Sequence, residues 1–448
     1  MNKDLTSGSP AKNLLLYTLP LLGSVLFTQL YNVADSLVAG KFINENALAA
    51  VGNASEITLI YTAFAFGCNI GCSVVVSQLF GAGDRRKLKT AVYTSFIAFG
   101  ALCALLTLLG LIFSPAMLRL INTPDSIFND SRSYILIYTL GMPFVFFYNV
   151  ATGIFSALGD SRTPFIFLAG SSTANILVDI LFVTAFRLGV PGVAWATVLC
   201  QGVSCLLAVA GLARRLHAMD SGADKPDIFS WPLLGKILRI AIPSILQQAF
   251  ISVGNIMIQG IINGYGESVI AGSAAALKLN AIATSCLTAN ANGLSTYTAQ
   301  NIGAKKIERI RPGYRAGLLL GYATCVPLLI CYFIFGSFFV GLFVEDASAA
   351  VMETGMTFLR IVSPFYFAVS TKIMTDGVLR GSGAINWFMA STFADLFLRV
   401  ALAALLSGPI GLGSLGIWLS WPVGWTIGAL LSLVFYFAGV WKRTADIA

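Results

Sequence analysis

Charge is scarce in this 448-residue chain. Asp, Glu, Lys and Arg make up 11% of it against 57% apolar residues, and histidine occurs once, at His217. A soluble globular domain carries about 25% charged residues, so water is not the solvent this surface is built for. One histidine in a polar stretch, no clustered acidic motif for a metal-bound diphosphate and no nucleophile spaced to a base leave no catalytic constellation, and an enzyme is not expected. The eight cysteines, Cys68, Cys72, Cys103, Cys200, Cys205, Cys286, Cys325 and Cys331, lie in or at the ends of apolar runs without metal-ligand spacing. They read as small apolar packing residues rather than zinc ligands or disulfides, and no cofactor is implied. Strand-length period-2 alternation is missing too, which argues against an outer-membrane barrel.

What the chain has is apolar length. Twelve runs long enough to cross a bilayer as helices fall at roughly 14–38, 48–79, 91–113, 134–157, 165–186, 191–211, 239–262, 270–300, 316–343, 356–379, 387–407 and 414–440. The first opens after about a dozen polar residues, is too long for a signal-peptide core and precedes no small-residue cleavage site, so we expect it to be retained. Basic residues accumulate in cytoplasmic loops. Here 20 of the 28 Lys and Arg fall at the termini and in alternate loops, among them Arg85, Arg86, Lys87 and Lys89, and Lys305, Lys306, Arg309, Arg311 and Arg315. Both termini are therefore expected in the cytoplasm, in a multi-pass protein of the cell membrane. The net charge of +8 is accounted for by topology, with no call for a nucleic-acid partner.

The sequence is written twice. Pro20, Phe27 and Asn32 recur as Pro243, Phe250 and Asn255, 223 residues on. Gln78–Arg86 is echoed by Gln300–Lys306, Pro143 and Gly153 by Pro364 and Gly377, and Ser171–Asn175 by Ser391–Asp395. The longest polar stretch, 212–237, separates the copies as a linker. We therefore expect an all-α polytopic membrane protein with a six-helix lobe over 1–211, a cytoplasmic linker over 212–237 and a second six-helix lobe over 238–448. A parallel repeat of this kind has its pseudo-two-fold axis along the membrane normal.

Only one copy keeps the acids. Asp35 falls opposite Ile258, Asn175 opposite Asp395, Asp179 opposite Arg399 and Thr197 opposite Trp421. A charged side chain near mid-membrane costs about 2.5–3.5 kcal/mol on insertion scales, so each asks for a partner or a role. The spacings from Tyr31 and Asn32 to Asp35, and from Asn175 to Asp179, put these groups on single helix faces. The first and fifth spans run outward and the sixth inward, which places Asp35, Asp179 and Thr197 together in the outer half of the membrane. Such oxygens can take up a small cation, or a proton if the carboxyl pKa rises enough. The alternative is a structural hydrogen-bond cluster. In the second copy, Asp395 and Arg399 suit an intrahelical ion pair serving structure, and Lys372, Asp376 and Arg380 form a ladder expected to snorkel to the cytoplasmic face. Glu56 and Lys278, at equivalent positions in the second and eighth spans, are candidates for a gate.

These residues carry a resemblance. The run Leu30-Tyr31-Asn32-Val33-Ala34-Asp35-Ser36, the Gln78 and Gln300 loops, Ala157-Leu158-Gly159-Asp160-Ser161-Arg162 and the Asn175/Asp179 pair resemble the multidrug and toxic compound extrusion (MATE) family over the entire chain. The resemblance implies two six-helix bundles around a V-shaped cavity and export of organic cations, as in drug resistance, in exchange for H+ or Na+. The similar branch is that of the DNA-damage-inducible transporters, whose cation site maps onto Asp35, Asn175, Asp179 and Thr197, with Pro20 as the hinge of the first helix. The other large prokaryotic branch uses a tenth-helix carboxylate, and alignment on Gly377 puts Val369 there. A cavity for lipophilic cations calls for aromatic lining; Tyr31, Tyr134, Tyr138 and Phe155 are the aromatic candidates, with ordinary helix packing as their other reading, and Asn32 is a polar candidate for the same cavity. A flippase for a lipid-linked oligosaccharide is the alternative function, and would be expected to carry a strongly basic cavity. The partners expected are small cationic amphiphiles and the bilayer, with the monomer as the working unit.

Overall fold

A computed structural model describes residues 4–42, 45–121, 123–219, 225–342 and 348–445. The side chains of Tyr31, Asn32, Asp35 and Glu56 lie outside the described residues. No strand occurs among those described. The helices are α1 (Pro10–Phe42), α2 (Glu45–Gly81), α3 (Arg85–Leu120), α4 (Asp125–Ala157), α5 (Arg162–Ile180), α6 (Gly189–Ala218), α7 (Trp231–Ile262), α8 (Glu267–Gly303), α9 (Ile310–Ile334), α10 (Gly336–Gly341), α11 (Ala349–Val362), α12 (Tyr366–Gly381), α13 (Ile385–Ser407), α14 (Ser414–Phe437) and α15 (Val440–Ala445).

Eleven of the described helical segments are long and apolar enough to cross a membrane. The twelfth expected span is present but cut: Ser363–Phe365 forms a 3-10 turn between α11 and α12. Pro364 explains the break, since its ring displaces the preceding turn and it lacks an N–H. Its counterpart Pro143 sits inside the continuous α4. The duplication extends to element bounds: α2 and α8 are each 37 residues long and begin 222 residues apart, at Glu45 and Glu267. The 33-residue α4 begins at Asp125, and α11 through α12 begins 224 residues later at Ala349. The linker is shorter than 212–237, because α6 continues to Ala218 and α7 starts at Trp231.

The chain forms two compact units that do not follow its halves at two helices. One comprises Gly23–Ile245, the other Leu5–Leu22 with Leu246–Ala448. The division falls two residues beyond Pro20 in α1 and two beyond Pro243 in α7, so each of these helices contributes to both units.

Within the first unit, small residues let helix backbones approach. A Cβ on Gly153 of α4 would lie 2.9 Å from the Asn69 carbonyl of α2, whose side-chain amide donates to Asn149 O at 2.7 Å. The second unit repeats the contact with Gly377 of α12 against the Ala291 carbonyl of α8, 2.8 Å from a Cβ. The Gln78 and Gln300 motifs become matching helix-terminal turns. Gly83 (φ 73°) and Lys305 (φ 59°) take the left-handed conformation, and Asp84 N and Lys306 N bond back to Leu79 O and Asn301 O at 3.2 and 2.8 Å.

A strap segment is bound at or just after each turn. In the second unit, Leu5 N donates to Gln300 Oε1 at 3.1 Å, Asn301 Nδ2 to Leu5 O at 3.3 Å, Lys306 Nζ to Thr6 O at 2.9 Å and Arg309 Nη2 to Gly8 O at 2.8 Å. In the first unit, Asp227 N and Ser230 N donate to Thr90 Oγ1 and Thr94 Oγ1, both at 3.0 Å. The start of α1 is thereby pinned to the end of α8 and the turn after it, and the start of α7 to the first turns of α3. Asn301→Ala removes the bonds to Leu5 O and Tyr297 O and the one accepted from Arg309 Nε. It is expected to cost about 1–3 kcal/mol, read as a lowered thermal midpoint of the detergent-solubilised protein.

Candidate cation site

In the first unit α5 packs against α6. Asn175 and Asp179, one turn apart on α5, are 2% and 0% exposed, whereas Leu177 between them is 65% exposed. The helix thus turns its amide and carboxylate inward and leaves its leucine exposed, the opposite of what an aqueous helix does. Thr197 of α6 is half-buried and donates its hydroxyl hydrogen to Val193 O at 3.1 Å. What the threonine presents to neighbours is therefore oxygen lone pairs. Asp35, Tyr31 and Asn32 lie in the C-terminal part of α1, and their side chains are outside the described residues.

A feature that sequence pattern did not signal follows Asp179 directly. Leu181–Ala185 is a π turn, with Phe186 N donating five residues back to Leu181 O at 3.2 Å. Leu188 N reaches Phe182 O at 3.0 Å, and Arg187 and Gly189 take positive φ of 54° and 60°. Such turns widen a helix locally and often sit at functional positions. The counterpart α13 is α-helical throughout. Of these residues Gly189 is the one visible cue; Leu-Phe-Val-Thr-Ala carries no π signature.

The other candidates scatter. Tyr134 and Tyr138 stack on α4 with centroids 6.3 Å apart, the first buried and the second half-buried. Phe155 is 2% exposed and lies under the Arg215 guanidinium at 5.5 Å, near the α4–α5 turn. Pro20 is inside the continuous α1, and Lys278 on α8 is exposed. Its proposed gate partner Glu56 falls outside the described side chains.

The Leu158–Arg162 motif has a structural role. Gly159 turns at φ 76°, and Asp160, 4% exposed, gathers Arg162 N, Thr163 N and Thr163 Oγ1 at 3.1, 3.1 and 2.6 Å. It is also ion-paired with Arg215 of α6. Burial pushes the Asp160 pKa up, but the bonds from Thr163 and Arg215 outweigh it and hold the carboxyl below its ordinary value. A depressed folded-state pKa stabilises above the unfolded-state pKa, near 4, and the stabilisation fades as pH falls through the folded value. Asp160→Asn is expected to lower stability by about 1–3 kcal/mol near neutrality. Thermal unfolding across pH should find this deficit shrinking on acidification below about pH 4.

In the second unit the counterparts of Asn175 and Asp179 form an ion pair, and α12 holds another. Arg399 Nη2 donates to Asp395 Oδ2 at 3.2 Å, and Lys372 Nζ to Asp376 Oδ2 at 2.8 Å. Lys372, Asp376 and Arg380 do not snorkel: they are 5%, 4% and 7% exposed. Asp376 Oδ1 accepts from Ser391 and Ser432, and Arg380 Nη2 donates to Asn292 Oδ1 at 2.6 Å. Internal acids and amides, rather than the aqueous face, receive these cations.

The MatE family profile matches residues 20–181 and 243–405, one match per repeat and most of the chain. The chain belongs to the MatE family. Membership bears out the resemblance read from the motifs and makes this a MATE-type membrane transporter. The probable multidrug resistance protein YpnP of Bacillus subtilis is 27% identical over 441 residues, spanning 98% of this chain and 97% of its own. An outward-facing multidrug resistance MATE transporter of the MOP superfamily superposes with a TM-score of 0.91 at 21% identity, covering 99% of each chain. A MOP superfamily transporter from Pyrococcus furiosus, described with a binding pocket of reversed polarity, gives 0.90 at 21% identity, covering 98% of this chain and 97% of that one. These two likenesses establish the MATE fold.

Proposed function

We propose that this MatE transporter exports organic cations across the cell membrane in exchange for inward flow of protons or sodium ions. The coupling ion binds at Asp179 with Asn175, Thr197 and Asp35. The observation that carries this reading is Asp179 itself: 0% exposed, one turn from the 2% exposed Asn175, beside a π turn that the second repeat lacks. An ionised carboxylate inside a membrane span is costly, and taking up a cation for part of the cycle offsets that cost. Loading from outside lowers the charge of this face and lets α1 bend about Pro20, which changes the substrate cavity; by linkage, substrate binding weakens ion binding by the same factor. The reading needs no cofactor, takes the monomer as the working unit and places both termini in the cytoplasm.

The names of relatives such as YpnP agree with drug export. A lipid-linked oligosaccharide would need free basic groups for its pyrophosphate, whereas the buried Lys372 and Arg399 are matched by Asp376 and Asp395. Purified protein in liposomes, tested under separately imposed proton and sodium gradients, should accumulate a fluorescent organic cation against its gradient with one ion or the other. Transfer of a lipid-linked sugar without such accumulation would replace the proposal by the flippase.

A further inference from the structure

The second repeat holds a cation where the first repeat has its candidate site. Asp395, Arg399 and Trp421 are the counterparts of Asn175, Asp179 and Thr197. The Arg399 guanidinium lies between the other two, hydrogen-bonded to Asp395 Oδ2 at 3.2 Å and 4.4 Å from the Trp421 ring centroid. It thus bridges α13 to α14, as a coupling ion would bridge α5 to α6. The pair is buried, with side chains 8% and 5% exposed, yet not saturated: Asp395 Oδ1 and Arg399 Nε have no hydrogen-bond partner among the described residues. One bond replaces the two of a bidentate arginine–carboxylate pair, so stability alone does not account for the geometry.

Among the described residues, no other charge pairs with this carboxylate. Lys372 of α12 approaches across Gly428, where a Cβ would lie 2.9 Å from Lys372 Cε and 3.0 Å from Asp395 Cβ. Its ammonium nevertheless points to Asp376 Oδ2 at 2.8 Å and Thr392 Oγ1 at 3.3 Å. Asp376 in turn is occupied by Lys372, Ser391 and Ser432. On the α14 side Asp395 Oδ1 meets Gly424, 2.8 Å from where a Cβ would stand. Arg399 is thus the counter-charge of Asp395.

We infer that Arg399 is a tethered cation that fills the second repeat's version of the ion site, and that Asp395 is a latent site for a monovalent cation, proton or sodium, which this chain keeps closed. The inference rests on the reading of Asp179 as the first repeat's ion ligand. It also explains why the duplicated scaffold couples through one lobe: the second is permanently in the loaded charge state.

The test uses the full chain, purified in detergent, in an Asp179→Asn background that silences the first site. Adding Arg399→Gln, which keeps an amide donor of similar reach, should create one cation site per chain. Radioactive sodium binding at alkaline pH reports sodium, and proton uptake on acidification without sodium reports protons; Asp395→Asn should abolish whichever appears. A folded Arg399→Gln protein that gains neither would overturn the inference. Arg399→Ala gives a second reading, because unfolding that sodium or acid reverses supports a latent site and unfolding that neither reverses contradicts it. If Asp179→Asn alone still binds the coupling ion, the first-repeat reading fails, while the difference made by Arg399→Gln remains measurable.

Discussion

Asp179→Asn protein, reconstituted at wild-type yield, is expected to lose gradient-driven export of an organic cation by about 100-fold, near the upper end of the coupling free energies that link two sites. Asparagine keeps the shape and a hydrogen-bonding oxygen but has no charge to discharge, so ion arrival no longer changes the electrostatics of α5. Because asparagine is nearly isosteric with aspartate, the folded protein should keep a thermal midpoint close to that of the wild type. Binding of the substrate measured without a gradient should persist. This combination separates a coupling residue from a structural one. A variant that unfolded, or that transported normally, would place Asp179 in packing instead.

The second large effect is on stability. Lys372→Ala should cost about 3–5 kcal/mol, because it strands Asp376 in the interior with a buried charge and two serine donors. Thermal unfolding of the purified variant should fall by on the order of 10 °C. Replacing both partners, Lys372→Met with Asp376→Leu, should recover most of the loss, since apolar pairs of similar volume often match a buried ion pair. If the single variant were as stable as the double, Lys372 and Asp376 would not be energetically coupled.

Much of this architecture was legible because bilayer and repeat constrain it twice. Apolar length located the spans, and the recurrence of Pro20, Gly153 and the Gln78 turn at Pro243, Gly377 and Gln300 located the duplication. The break at Ser363–Phe365 was not, because Pro143 in the matching place leaves α4 continuous; what decides a proline's effect is its surroundings. The exchange of strap segments was equally hidden. Leu5–Gly8 and Asp227–Ser230 look like polar leaders, and their partners, Gln300 to Arg309 and Thr90 to Thr94, are 136 to 301 residues away.

At the site, spacing placed Asn175 and Asp179 on one face of α5 and the structure buries both. The π turn after Asp179 had no local signature, since it reflects how the helix end packs rather than which residues compose it. The expectation that failed most plainly, the snorkelling of Lys372, Asp376 and Arg380, came from treating a helix-end ladder by itself. Ser391, Ser432 and Asn292, on other helices, receive those charges.

Antiport through one acidic site is tested most directly by counterflow. Liposomes containing the protein and no ion gradient should, when an organic cation is allowed to move down its own gradient, drive proton or sodium flux in the opposite direction. The wild type is expected to show that flux and Asp179→Asn to show none, while the cation still equilibrates. Opposed ion flux of undiminished size in Asp179→Asn would contradict the account.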